Sequence, residues 1–251
     1  MSSIDDAPNY SFNRRPRFSA NHLAEYLCTH DAGQRDAVIR KAKFPRKPSV
    51  IAYQQVTPAI RAFLSSNSGD LKPLNALSDR LAAKAAREQG YNRDEALRCG
   101  AAIDAFKETY AASKWGKAQF VAGPQDVTMK VEGVAVNVRL DPPMIERAPD
   151  DQTYGGGCVI FLANSPEARK NIDDRRKYVA AIAHWALSSG SANLEPLPRL
   201  CVSFDVFGKE ITRAPTAFSR LRKSMSDSCR EAAAKWDAIE PPAGYDGPDW
   251  H

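Results

Sequence analysis

Apolar residues recur three or four positions apart through the first half of the chain, and two apart at the start of the second. The first spacing lines one face of a helix, and the second lines one face of a strand. Ser19 precedes Ala20-Asn21-His22-Leu23-Ala24-Glu25-Tyr26-Leu27, which predicts a helix with a serine N-cap. A second helix is expected over 34–42, with Val38 and Ile39 inward. Phe44-Pro45-Arg46-Lys47-Pro48 ends it, because proline lacks an amide donor and restricts the residue before it. A third is expected over 52–64, on Ile60, Phe63 and Leu64. A fourth rests on Leu71, Leu74, Leu77 and Leu81, and a fifth, capped by Asn92, carries Ala96, Leu97, Ile103, Phe106 and Tyr110.

After Gly123-Pro124 the period becomes two. Val127, Met129 and Val131, then Val134, Val136 and Val138, alternate with other residues around Glu132-Gly133, which predicts a β-hairpin. Gly155-Gly156-Gly157 reads as a flexible turn leading into the apolar run 158–163, a buried central strand. A helix over 166–187, a strand over 200–207, a short strand over 210–212 and a helix over 217–239 follow, and Pro241-Pro242 stops the last. The expected fold class is α/β (α+β), an all-helical N-terminal half followed by a small mixed β-sheet flanked by helices. In linear terms that gives an extended basic arm over 1–18, a helical region over 19–122, a sheet domain over 123–240 and a Pro/Gly-rich tail over 241–251.

Charge adds one local feature. The formal net charge is only +5 over 251 residues, too small to make nucleic acid the default partner. The stretch 14–47 nevertheless concentrates Arg14, Arg15, Arg17, Arg35, Arg40, Lys41, Lys43, Arg46 and Lys47 against Glu25, Asp31 and Asp36. Such a cluster can meet phosphate or an acidic partner surface. The five cysteines are scattered and form neither a CxxC pair nor a zinc-finger spacing, so they read as small buried hydrophobes in a reducing compartment. No apolar run is long enough to span a bilayer, and Asp5, Asp6, Arg14 and Arg15 leave no room for a signal-peptide core. A soluble, cytosolic protein without a membrane partner is expected.

The predicted order of three strands, a helix and a further strand, together with Gly133-Val134-Ala135-Val136-Asn137-Val138-Arg139-Leu140-Asp141-Pro142, resembles the PD-(D/E)XK nuclease superfamily in its RecB-like branch. The resemblance implies that Asp141 ends the second strand as a metal-binding carboxylate. In that chemistry two carboxylates hold a divalent metal at the scissile phosphate, and a lysine two residues from the second carboxylate shares its strand face. The corresponding strand, Val159-Ile160-Phe161-Leu162-Ala163-Asn164, has neither an acid nor a lysine. On the next helix Tyr178 is present, while Asp174 stands where the family has glutamine.

Each candidate residue also has a structural reading. Asp141 either ligates a metal or opens the Asp-Pro-Pro turn. Glu132 either substitutes for the missing acid or pairs with Lys130 on the hairpin face. Asp205, in an apolar strand, either faces solvent, pairs with Arg175 or Lys209, or serves a site. Arg14, Arg15 and Arg17 among Tyr10, Phe12 and Phe18 form either a nucleic-acid-binding arm or a tail anchored on the helical half. Tyr245 and Trp250 either recruit a partner or tuck against the sheet. The functional expectation is a non-catalytic or poorly catalytic nuclease-like protein that binds DNA, RNA or a nucleic-acid-processing partner. Its contact residues are Arg14, Arg15, Arg17, Lys41, Lys43, Arg46 and Lys47, and no cofactor is needed. The alternatives are a protein–protein adaptor and a Mg²⁺-dependent nuclease using Asp141 with Glu132 or Asp205.

Overall fold

The computed structural model describes residues 8–47, 53–189 and 194–250. The expected roles of Pro48 and Ala52, of the first seven residues of the arm and of His251 lie outside them. Among the described residues are seven helices and two mixed sheets, an α/β or α+β fold as the sequence predicts. The chain forms two compact units, each discontinuous in sequence. The first comprises Met1–Ile51, Thr128–Asn137 and Ala217–His251, and the second Ala52–Val127 and Val138–Thr216.

In the first unit, β1 (Arg17–Ser19) leads into α1 (Ala20–Leu27), where the amide of His22 donates to Ser19 Oγ over 3.1 Å, the predicted cap. α2 (Ala32–Lys43) starts two residues before its expected position because Asp31 accepts from the Gln34 amide over 2.8 Å. The predicted hairpin is present as β3 (Gln125–Val131) and β4 (Val134–Leu140), turned by Glu132 and Gly133 at positive φ. β1 pairs with β4 in parallel, Phe18 beside Val136, so the end of the arm is the edge strand of a sheet ordered β1-β4-β3. Phe18 is buried between Tyr26 of α1 and Trp236 at the end of α7 (Ser219–Lys235), a burial that contributes about 2 kcal/mol.

The tail does not tuck against a sheet as expected. Tyr245 packs on Tyr10 and Phe44, and Trp250 on Phe44, while Asp246 accepts from the amides of Asn9 and Tyr10. The tail and the arm thus anchor one another at the end of α2.

In the second unit, α3 (Val56–Ser66), α4 (Lys72–Arg87) and α5 (Gly90–Ala111) present their apolar stripes to one core. α5 begins at Gly90, so Asn92 sits inside its first turn and is not its cap. The five-stranded sheet runs β2 (Gln119–Phe120), β5 (Pro143–Arg147), β6 (Thr153–Phe161), β7 (Glu195–Asp205), β8 (Glu210–Arg213). α6 (Ile172–Ser189) connects β6 to its parallel neighbour β7; it starts six residues later than predicted, after turns over 165–171.

Two expectations about the strands change. β5, half exposed and therefore without clear alternation, lies beside β6, so the hairpin and β6 belong to different sheets. The glycine run is not a turn; it is the interior of β6. A Cβ on Gly156 would lie 2.3 Å from Leu200 Cβ and 2.4 Å from the Leu200 carbonyl oxygen. There β7 bulges: Gly155 faces Pro196 and Gly157 faces Cys201, leaving residues 197–200 opposite Gly156. Glycine is required by this approach.

Gly156→Ala is expected to destabilise the protein by roughly 1–3 kcal/mol or more, through overpacking against backbone. Gly100→Ala, inside α5 with its nearest neighbour 4.0 Å from the new Cβ, is expected to stabilise by about 0.5–1 kcal/mol. Thermal or urea denaturation of the two variants against the parent checks the pair, and equal effects would reject the packing account.

Candidate functional site

The acids singled out in the sequence are each met by arginine. Asp141 follows β4, with its amide donating to the Cys158 carbonyl oxygen over 2.7 Å, and the Asp141–Pro142 peptide is cis. Both of its carboxylate oxygens accept from the guanidinium fork of Arg61 on α3, with Arg139 at 3.8 Å. That pairing holds the Arg61 guanidinium above its ordinary value, the bonds to Asp141 being the main cause. A cation bound by Asp141 would have to displace Arg61.

Asp205 ends β7, fully buried. It accepts from Arg169 over two bonds of 3.0 Å, from Arg176 over 3.1 Å and from the Gly208 amide over 2.9 Å. The expected partners Arg175 and Lys209 are engaged elsewhere, Arg175 with the Ala168 carbonyl and Lys209 with Glu108. The helical turn decides this: Arg176, and not its neighbour Arg175, is on the buried face of α6. Glu132, at the hairpin turn, is bridged by Arg230 at 3.2 Å instead of pairing with Lys130. Among the described residues no group of three or more His, Cys, Asp or Glu side chains is placed to hold a metal.

The basic residues divide differently. Lys43 is 3% exposed and donates to the carbonyls of Trp236, Asp237 and Ile239 at 2.8, 3.3 and 2.9 Å. It terminates α7, where backbone carbonyls lack helical partners. Burial holds its ammonium below the ordinary lysine value, with Asp237 opposing. Lys43 is therefore not a surface contact, a correction the sequence could not supply because the carbonyls come from nearly 200 residues away. Lys41 is exposed and bridged to Glu25 at 3.1 Å.

Arg14, Arg15, Arg17, Arg46 and Lys47 are exposed. The sheet's outward face in the first unit carries Arg17 and Ser19 of β1, Ala135 and Asn137 of β4, and Thr128 and Lys130 of β3. The inward face carries Phe18, Val134, Val136, Met129 and Val131. Arg17 is paired with Ala135, and the two-residue turn sets Lys130 on the other side of Ala135, as the contact of Thr128 with Asn137 requires. One row thus reads Arg17, Ala135, Lys130: two cations flanking a small side chain about 10 Å apart, with Arg14 and Arg15 leading into it. The hairpin parity that sets Lys130 on one face with Glu132 also sets it beside Thr128, and with Glu132 taken by Arg230 the Lys130 side chain is exposed there.

Beside the Tyr10–Arg46 bridge, a cavity of about 300 Å³ is walled by Tyr10, Phe44 and Pro242 and bordered by Arg40, Lys41 and Arg46. All five cysteines are buried, and none is in a disulfide. Burial pushes the thiols of Cys99, Cys201 and Cys229 up to about 11, 12 and 12, so none is a ready nucleophile. No protein-family model matches the chain, and no curated protein matches it significantly.

Lys43→Met is expected to lower stability by about 1–3 kcal/mol, by leaving buried carbonyls without a donor. Asp205→Ala is expected to cost about 3–5 kcal/mol, since Arg169 and Arg176 lose their buried counter-charge. Urea titration measures both, and a Lys43→Met protein of parental stability would remove the capping role.

Proposed function

We propose that the protein is a non-catalytic or weakly catalytic nucleic-acid-binding protein of PD-(D/E)XK-like character, which holds a phosphate backbone on the β1-β4-β3 face of its first unit. The observation that carries this reading is the placing of Arg17 and Lys130 on one sheet face, either side of Ala135 and beside Ser19, Asn137 and Thr128, with the exposed Arg14 and Arg15 just before β1 in the chain. Asp126 and Glu132, at the same parity as Lys130, are met by Arg139 and Arg230, so the repulsion between Arg17 and Lys130 is left for a polyanion to relieve as it releases its counterions. The flat, small-residue centre of the face lets a backbone approach. The cavity beside Tyr10, with Arg46 at its edge, adds an aromatic side chain of the kind on which unpaired bases rest.

The non-catalytic part of the reading is supported by Asp141. Its oxygens are held by Arg61, which leaves a metal-dependent cleavage mechanism without its first carboxylate. The strand–helix–strand crossover β6-α6-β7 supports the nuclease-like element of the proposal.

Fluorescence anisotropy with labelled single-stranded DNA, duplex DNA and RNA across a salt series tests it. Affinity is expected to fall steeply with salt, with no cleavage in Mg²⁺. Replacing Arg14, Arg15, Arg17 and Lys130 together by alanine is expected to weaken binding at least about 10-fold and to flatten the log–log salt slope by roughly 3 for single strands. Absence of binding at low salt would overturn the proposal and favour a protein adaptor.

A further inference from the structure

We propose that a groove in the second unit, between the loop after α5 and strands β5, β7 and β8 of the five-stranded sheet, is a binding site for a nucleoside phosphate. It is a separate site from the sheet face of the first unit and does not rest on that reading. The groove has a volume of about 420 Å³, within the range of small-ligand sites.

Its wall is apolar, formed by Trp115 of the loop, Met144 of β5 and Leu200 of β7. Its charge is positive: Lys114, Lys117 and Arg213 surround it, while Glu146 is consumed by a two-bonded pair with Arg199. Arg213 donates to the Lys114 carbonyl oxygen over 2.9 Å, which fixes the loop against β8 and leaves its positive charge without a carboxylate partner. Lys114 and Lys117 are exposed, and neither is in an ion pair among the described residues.

The ligand class follows from this composition. A single carboxylate would leave two of the three cations unbalanced, whereas a phosphate monoester brings close to two negative charges and three acceptor oxygens. Trp115, half-buried beside the buried Met144 and Leu200, favours a ligand with a ring next to the anion, which inorganic phosphate lacks. A nucleoside phosphate has both parts.

The groove is a built feature of the sheet. The register of β6 on β7 jumps from Gly155–Pro196 to Gly157–Cys201, so residues 197–200 form a bulge that brings Arg199 and Leu200 to it. Gly156, paired with Met144, lets Leu200 pack directly against β6, because any Cβ there would collide with it. The glycine run therefore seats Leu200, which lines the groove beside Met144.

Calorimetric titration of the full chain with AMP, adenosine and inorganic phosphate is the test. AMP is expected to bind, with adenosine and phosphate at least tenfold weaker. Lys117→Glu, an exposed change that leaves the fold intact, is expected to weaken AMP at least tenfold. Arg17→Glu with Lys130→Glu is expected to leave AMP binding unchanged, which separates this site from the sheet face. Oligonucleotides with a 5′-phosphate or a 5′-hydroxyl distinguish the ligand's source. A phosphate preference lost in Lys117→Glu and competed by AMP identifies a strand end, while AMP binding without that preference identifies a free nucleotide. Absence of both AMP binding and the 5′-phosphate preference, or AMP binding indifferent to Lys117→Glu, would overturn the proposal.

Discussion

A carboxylate taken fully out of water must be surrounded by donors, and the second unit is organised around one. Asp205 has no exposed surface and receives bonds from Arg169, Arg176 and the Gly208 amide. Those donors come from the turns before α6, from α6 itself and from the corner between β7 and β8. One ionised group thereby fixes where the sheet ends, which face α6 turns inward and how the chain reverses. Arg176 is itself buried and reaches Asp173 and Glu210 with its second terminal guanidinium nitrogen, so the excess positive charge drains toward the surface. Removing any one member leaves an uncompensated charge in low dielectric, which is why such clusters are cooperative.

The elements that rest on local rules were legible in the sequence. Ser19 capping α1, the leucine stripe of α4 and the period-two hairpin around Glu132-Gly133 each follow from residues within one turn of one another. Features set by long-range partners were not. Arg17 becomes part of a strand only because β4, more than a hundred residues later, offers it an edge. β5 carries no alternation because its pattern of burial is mixed, and Gly155-Gly156-Gly157 resembled a turn because glycine has the same signature in a loop as under a crowding neighbour. Local composition cannot separate those two uses of glycine; only the position of Leu200 does. The two compact units share this property, since each closes through segments distant in sequence.

The candidate site was legible in charge and only partly in place. That Arg14, Arg15, Arg17, Arg46 and Lys47 are exposed follows from a polar, proline-containing arm and a helix end. That Lys43 is not exposed could not be read, because a lysine in the last turn of an amphipathic helix has the same sequence context whether it meets solvent or carbonyls. Likewise Asp141 and Asp205 both end strands beside apolar residues, a placement compatible with metal binding and with arginine pairing alike. The fork of Arg61 and the double engagement of Asp205 distinguish the two.

The distribution of partners separates charges that build the fold from charges that remain available to a ligand. Lys43, Asp141, Arg176 and Asp205 spend their bonding capacity within the protein, and each ties together segments that local structure alone would not join. Arg14, Arg15, Arg17 and Lys130 in the first unit, and Lys114 and Lys117 in the second, make no comparable bonds. Surfaces of mixed sign, such as the outer face of α4 with Asp79, Arg80, Lys84 and Arg87, balance themselves in water and need nothing further. A single-signed cluster does not, because its self-repulsion weakens the compact state by an amount that a bound anion restores. The cations of the sheet face border Ser19, Ala135, Asn137 and Thr128, and those of the groove border Trp115, so an anion bound at either place would relieve the repulsion among like charges.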